Sequence, residues 1–355
     1  MKILHNFSLK NKHSFKVDVK AKCFILISKI EDIVKVLQNK KYNNNLLVLG
    51  SGTNTLFTKD YPGTILQIAT KGIAVVDQDE KEITVEIQAG ESWSGFVAWA
   101  VNNGFSGVEN MALIPGTVGA GAIQNIAAYG ENFEDVFVSL EVIEMASGKT
   151  ISFDKKACKF GYRESIFKKD YRNRFIITKV NLRLAKNDEI NTSYHSRYGS
   201  LEDELAKISN PPYNIRDASK AVTLIRERKF PDWEKIGTAG SFFLNPVITK
   251  KELVGIQKKV PNIQFYPIDK LSYPKPDDPK FIYSDYVKIP AGWLLEELGW
   301  KGKWIGKVGT SPNQSLVVMT QKGATAQEIL KFAEKMKLDV KKAYSIDLTP
   351  EVNII

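Results

Sequence analysis

Residues 108–130, VENMALIPGTVGAGAIQNIAAYG, constrain this chain of 355 residues more than any other stretch. They carry Gly116, Gly119, Gly121 and Gly130 among apolar and amide residues. Each glycine inside a helix costs about 1 kcal/mol relative to alanine, so the stretch is too glycine-rich for a plain helix. It is also too apolar for an exposed linker. Glycines let the main chain approach a flat ligand, and Gln124 and Asn125 offer hydrogen bonds to polar ring edges. From the residues alone a tightly packed structural loop fits as well.

A second loop, residues 49–57 (LGSGTNTLF), follows the short apolar run 46–50 that reads as a buried strand. Gly50 and Gly52 with small hydroxyl residues allow backbone N–H groups to turn toward one point and cradle a phosphate. The loop lacks the third glycine and following helix of a dinucleotide fingerprint, and the Gly-Lys-Ser/Thr of a Walker loop. Alone it reads equally as a tight turn. Two such loops around one strand-rich unit favour a bulky, phosphate-bearing cofactor.

Three isolated side chains stand out further along. Arg163, in FGYRESIFK, carries a planar fork suited to carboxylate or phosphate, or forms a surface ion pair. Ser241, in GTAGSFFLNP, lies in a small-residue turn without a Gly-x-Ser-x-Gly elbow, and His5, His13 and His195 stand in no motif that would supply a base. Triad chemistry is therefore not expected, and a serine proton donor is the alternative to a structural turn serine. Glu351, in TPEV, is on residue type alone a solvated carboxylate.

The rest organises around these segments. Hairpins are expected at 72–90 and 137–153, strands at 64–69, 175–184 and 240–246, and a Ser92-capped helix at 92–103. Helices follow at 200–208, 218–229, 250–259 and 290–298, with a Pro-rich loop at 266–279. A last helix, 325–340, opens on a Thr325–Glu328 capping box. A boundary is expected near 187–200, where a strand-rich unit gives way to an α+β one. The net charge of +10 fits a solvated basic surface, a field for an anionic substrate or a nucleic-acid binder. No apolar run reaches the roughly 20 residues needed to cross a membrane, and no signal-like N-terminus is apparent. Cys23 and Cys158 have no metal-type spacing and cannot build a disulfide framework, so a reducing, cytoplasmic setting and no metal are expected.

Taken in order, LGSGTNTLF, GVENMALIPGTVGAGAIQNIAAYG, GYRESIFK, AGSFFLNP and the terminal PEV resemble the UDP-N-acetylenolpyruvoylglucosamine reductase family, from about residue 15 to residue 352. The resemblance implies an α+β fold: a vanillyl-alcohol-oxidase-type (PCMH-type) FAD-binding domain of two α+β subdomains, 1–70 and 71–200. A substrate-binding domain, 201–340, and a C-terminal segment, 341–355, would follow. It implies non-covalent FAD, with Gly50, Ser51, Gly52, Thr53 and Asn54 at the pyrophosphate and Pro115, Gly116, Thr117, Gly119, Gln124 and Asn125 along the flavin. NADPH would be the co-substrate and a UDP-sugar the substrate. The family's catalytic positions fall on Arg163, Ser241 and Glu351.

Substrate contacts would fall on Tyr162, Tyr198, Arg226, Lys229, Asn245 and Gln314, and Tyr198 in SRYGSLEDEL marks the longer of the family's two subtypes. Leu244 departs from the polar or basic residue common before the Asn-Pro, and Thr349 stands at a flanking position of little weight. The resemblance implies a monomer that engages neither membrane nor nucleic acid. Two rival classes are a flavoprotein oxidase of the same cofactor fold, which would lack Ser241, Glu351 and the Tyr198 loop together, and a non-catalytic nucleotide or nucleic-acid binder.

Overall fold

Inward-facing apolar residues along two strands set the main sheet. Ile83, Val85 and Ile87 in Glu82–Gln88 point into the core, as do Val180, Leu182 and Leu184 in Phe175–Ala185, while Lys179 and Arg183 stay toward solvent. With Phe137–Glu144 between its neighbours, the antiparallel order is Thr150–Asp154, Phe137–Glu144, Phe175–Ala185, Glu82–Gln88, Ile73–Gln78. The computed structural model describes residues 1–196, 199–233, 235–268 and 282–355.

The chain forms two compact units. Unit 1 comprises Met1–Phe7, Lys22–Ser51 and Pro62–Arg226, and unit 2 comprises Ser8–Ala21, Gly52–Tyr61 and Glu227–Ile355. Unit 1 holds the five-stranded sheet. A four-stranded sheet, ordered Lys2–Ser8, Lys20–Ile27, Tyr61–Ile68, Leu46–Leu49, has most of its residues there too. Helix Trp93–Asn102 buries Trp93, Phe96, Val97 and Ala100, and its N-cap Ser92 accepts a hydrogen bond from the Gly95 N–H.

In unit 2 a sheet ordered Gly237–Ser241, Val317–Thr320, Val308–Thr310, Trp304–Ile305 accompanies the helix Ala326–Tyr344. That helix opens on the Thr325–Glu328 capping box and buries Ile329, Phe332, Ala333, Met336 and Val340. The early stretches are tied to the late ones by main-chain hydrogen bonds. Thr238 donates to the Ser14 carbonyl (3.0 Å), and strand Asn353–Ile354 pairs in parallel with Thr55–Leu56.

Both expected hairpins form, as do the helices at Leu201–Ile208, Ile215–Lys229, Lys250–Gln257 and Ala291–Glu297. Two expectations are corrected. Residues 118–124 do form an α-helix despite their glycines, for reasons of packing given below. The strand expected at 240–246 instead runs Gly237–Ser241, and a separate strand begins at Val247. Gly240, at φ 74°, sits where the pairing register with Val317–Thr320 shifts, and Pro246 has no N–H to donate. Of the expected Pro-rich loop, residues 269–279 lie outside the described residues.

At Gly237 a Cβ would overlap Thr320 Oγ1 and come within 2.6 Å of the Phe15 carbonyl oxygen. Gly237→Ala is therefore expected to strain the seam joining the stretch 8–21 to the sheet, destabilising unit 2 by about 1–3 kcal/mol in urea unfolding. An unchanged unfolding midpoint would show that the seam is soft.

Candidate active site

Strand Leu46–Leu49 delivers Gly50, whose carbonyl accepts a hydrogen bond from Gln67 Nε2 (2.9 Å). A Cβ on Gly50 would stand 2.8 Å from Thr117 Oγ1 and 3.3 Å from Ala120 Cβ, so the two glycine loops abut within unit 1. The second loop is stitched to the start of helix Trp93–Asn102. Trp93 N–H donates to Gly116 O (3.1 Å), Val118 N–H to Glu91 O (2.9 Å) and Gly119 N–H to Ala89 O (2.9 Å).

Gly119 is required there, because its Cβ would lie 2.8 Å from Ala89 Cβ. Thr117 caps the short helix Val118–Gln124 by accepting from Ala120 N–H (3.4 Å). Tertiary contact, rather than propensity, thus makes this glycine-rich helix. Gly50 and Gly119 are therefore required by close packing against Thr117 and Ala89, while Ser51 is exposed. Gly52, Thr53 and Asn54 continue the first loop in unit 2.

Gln124 is half-buried, but Asn125 is 4% exposed and serves the protein itself. Its Nδ2 donates to Glu134 Oε1 (3.0 Å) and Gly161 O (2.9 Å), and its Oδ1 accepts from Glu134 N–H (3.1 Å). It ends the helix at φ 44°, a left-handed conformation that asparagine tolerates better than most residues.

Arg163 occupies the tip of a tight turn closed by reciprocal main-chain hydrogen bonds between Gly161 and Glu164. At φ 55° it is held in left-handed geometry, which costs a non-glycine residue of order 1 kcal/mol or more. Its Nη2 donates to Ala127 O (2.9 Å), and its guanidinium lies 5.6 Å from the centre of the Tyr162 ring. Lys168 Nζ donates to the Arg163 carbonyl (2.9 Å), which fixes the turn from outside.

Arg226 is the second cation of this region, its Nε donating to Leu113 O (3.3 Å). Burial is the main cause lowering the pKa of Arg226; Tyr129 opposes that shift and the charge of Arg163 adds to it. Two guanidinium groups close enough to repel favour an anion beside them.

In unit 2 Ser241 ends the strand Gly237–Ser241, opposite Val317. Glu351 N–H donates to the carbonyl of Phe242, the next residue (2.8 Å), and Phe243 bridges to Pro350. Asn54 Nδ2 in turn donates to Glu351 O (3.2 Å), so Asn54, Ser241 and Glu351 are gathered from three distant parts of the sequence. Asn245 Oδ1 accepts from Ala291 N–H (3.0 Å) at the start of helix Ala291–Glu297. Gln314 is 5% exposed with Oε1 directed at Leu316 N–H (3.4 Å), and Lys229 lies 5.5 Å from the Phe230 ring centre. Tyr198 lies outside the described residues.

Sequence reasoning passed over Tyr129, which hydrogen-bonds Arg226, and Asn110, whose Nδ2 donates to Tyr129 O (2.9 Å) and Asn191 O (2.7 Å). Residue type did not mark either one, because the positive φ of Tyr129 and the partners of Asn110 are set by the fold.

Comparisons with known proteins place two family matches on the chain. Residues 21–154 match the FAD binding domain family, and residues 231–355 match the family described as UDP-N-acetylenolpyruvoylglucosamine reductase, C-terminal domain. The UDP-N-acetylenolpyruvoylglucosamine reductase of Flavobacterium johnsoniae is 41% identical over 356 residues, covering 100% of both chains. That of Amoebophilus asiaticus is 37% identical over 356 residues with the same coverage. The crystal structure of UDP-N-acetylenolpyruvylglucosamine reductase (MurB) from Thermus caldophilus superposes with a TM-score of 0.64 at 18% identity, covering 99% of this chain and 98% of that one, and so shares the fold.

Asn125→Ala would remove three hydrogen bonds and leave Glu134 N–H and Gly161 O without this partner. Destabilisation of unit 1 by about 2–4 kcal/mol is expected in urea unfolding, at about 1 kcal/mol or more per lost bond. A loss below about 0.5 kcal/mol would show that the brace is dispensable.

Proposed function

The chain belongs to the UDP-N-acetylenolpyruvoylglucosamine reductase family, and we propose that it carries out the reaction of that name with electrons from NADPH. It is an FAD-dependent oxidoreductase of peptidoglycan synthesis, an α+β protein whose residues 21–154 form the FAD binding match. The substrate is the enolpyruvyl ether of UDP-N-acetylglucosamine and the product UDP-N-acetylmuramate. The observation that most supports the detailed reading is the hydrogen bond from Glu351 N–H to Phe242 O, which sets a carboxylate residue beside the chain neighbour of Ser241.

Gly50, Ser51, Gly52, Thr53 and Asn54 would hold the FAD pyrophosphate. Pro115, Gly116, Thr117, Gly119 and Gln124 would lie along the flavin, with Asn125 contributing main chain, since its amide is engaged within unit 1. FAD held by these residues would supply two-electron hydride-transfer chemistry between NADPH and the enolpyruvyl group.

The residues do the rest. Hydride addition places negative charge on the carboxylate side of the substrate as an enolate. A fixed cation beside that carboxylate stabilises charge that grows in the transition state, and Arg163 takes this role. Its left-handed turn and its bonds to Ala127 and Lys168 hold it in place beforehand. Glu351 orients the same end. The carbon next to the carboxylate then needs a proton, and Ser241 donates it. A serine hydroxyl is a weak acid, so it transfers its proton only to a strongly basic enolate.

Tyr162, Tyr198, Arg226, Lys229, Asn245 and Gln314 are the proposed contacts to the UDP-sugar. Among the described residues no helix is long and apolar enough to cross a membrane. The reading has the enzyme acting on small molecules as a cytoplasmic monomer, without nucleic acid or membrane.

The purified protein is expected to show flavin absorbance that bleaches with NADPH and recovers on adding the enolpyruvyl substrate; a colourless protein that FAD cannot reconstitute would sink the reading. In anaerobic stopped-flow, Ser241→Ala is expected to leave flavin reduction by NADPH nearly intact while slowing reoxidation by substrate about 10²–10⁴-fold. Equal losses in both half-reactions would remove Ser241 from the proton-donor role.

A further inference from the structure

Two carboxyls that no step of the reduction uses lie inside unit 1. Glu109 stands in the single 3-10 turn Glu109–Met111 and is 1% exposed. Glu131 opens the two-residue strand Glu131–Asn132, paired with Ala127–Ala128, and is 8% exposed. Their carboxyls adjoin: Glu131 Oε2 accepts from the N–H of Asn110, the residue after Glu109, and the Glu109 charge acts on Glu131. Two adjoining buried carboxylates repel each other, so the arrangement favours one of the two holding a proton.

Main-chain donors complete the arrangement. Glu109 Oε2 accepts from Gly107 N–H (2.7 Å) and Val108 N–H (3.0 Å), and Glu131 Oε2 accepts from Asn110 N–H (3.0 Å). The other charged group that acts on Glu131 is Asp135, also acidic, which accepts from Asn132 N–H (3.0 Å). The main-chain donors pull the pKa of each carboxyl down, but burial outweighs them. Burial raises the pKa of both, and for Glu131 the neighbouring Glu109 charge adds to burial, taking it to about 9.

The location gives the pair its use. Glu109 and Glu131 stand at the two ends of the stretch that holds the loop 115–125. Between them the non-glycine residues Leu113, Asn125 and Tyr129 adopt positive φ, so the stretch stores backbone strain that its ends must contain. Asn110, bonded to Glu131 through its N–H, passes the constraint on to Tyr129 O and Asn191 O through its side chain.

We propose that Glu109 and Glu131 form a one-proton carboxyl pair that fastens the two ends of the glycine-rich segment, and that they are positioning residues for the flavin bound along it. The second half rests on the FAD reading above; the first does not. The sign of the pH effect follows from the raised pKa. The folded protein keeps the shared proton that an unfolded chain releases near the ordinary carboxyl pKa, so the pair is intact at neutral pH and fails as pH rises through about 9. Two adjoining buried carboxylates then repel, and the segment loosens.

The test uses wild type and Glu131→Gln, whose amide can donate to Glu109 and accept from Asn110 N–H without a proton to lose. FAD dissociation constants are measured from pH 7 to 10.5. In wild type affinity is expected to fall by up to about tenfold per pH unit above about 9, the slope of a single proton. Glu131→Gln is expected to bind FAD at neutral pH and to show no such fall. An equal alkaline fall in Glu131→Gln, or none in wild type, overturns the positioning role.

The infrared C=O band of protonated carboxyl, read on FAD-free protein, separates this from the flavin reading. In wild type it is expected at pH 7.5, fading through about pH 9, and it is expected to be missing from Glu131→Gln. No difference between the two proteins at pH 7.5 overturns the pair whether or not FAD binds. Absence of FAD binding with the band present overturns the flavin reading and leaves the pair standing.

Discussion

Three main-chain hydrogen bonds, from Trp93, Val118 and Gly119 to the carbonyls of Gly116, Glu91 and Ala89, hold the architecture of unit 1's site. Each contributes about 1 kcal/mol net, yet together they fix where the loop 115–120 lies against the end of strand Glu82–Gln88 and the start of helix Trp93–Asn102. The steric condition for this seam is Gly119 against Ala89, where any Cβ would push the start of helix Val118–Gln124 away from the chain that follows strand Glu82–Gln88. From that fixed loop Thr117 meets Gly50, so the placement of the first glycine loop depends on the second. Asn125, one helix later, then aims the chain toward the turn that presents Arg163.

Much of the frame was legible because it rests on short-range rules. Period-two alternation located Glu82–Gln88 and Phe175–Ala185, and caps at Ser92 and Thr325 located two helices, since each signal is complete within a few residues. The failures share a cause. Helix Val118–Gln124 is made by contacts with Ala89 and Glu91 that lie about thirty residues away, which local propensity does not see. The strand at Gly237–Ser241 stops where Gly240 and Pro246 disturb pairing, and its register is set by Val317–Thr320.

The site was legible to different depths. Arg163, Ser241 and Glu351 were named through family resemblance, whereas their residue types alone pointed nowhere definite. Glu109 and Glu131 were passed over because a glutamate in a sequence reads as solvated; only the fold shows that both are inside and meet. Asn125 was read as a ligand donor because a buried brace and an open amide look alike until partners are known.

Unit 2 is assembled from three stretches of chain, and this sets an order of events during synthesis. Residues 8–21 and 52–61 leave the ribosome early, yet Thr238 and Asn353, which complete their hydrogen bonding, are made only after all of unit 1. All three stretches of unit 1 have been made by residue 226, so it can begin to close while the nascent chain is still growing; unit 2 cannot. Its early segments, with apolar Leu9, Phe15 and Phe57 buried in the finished fold, must wait without their final partners through that interval. Slow non-local closure of this kind exposes a chain to aggregation. The pace of translation, and the holding of those segments by chaperones, therefore bear on yield as much as the stability of the finished protein does.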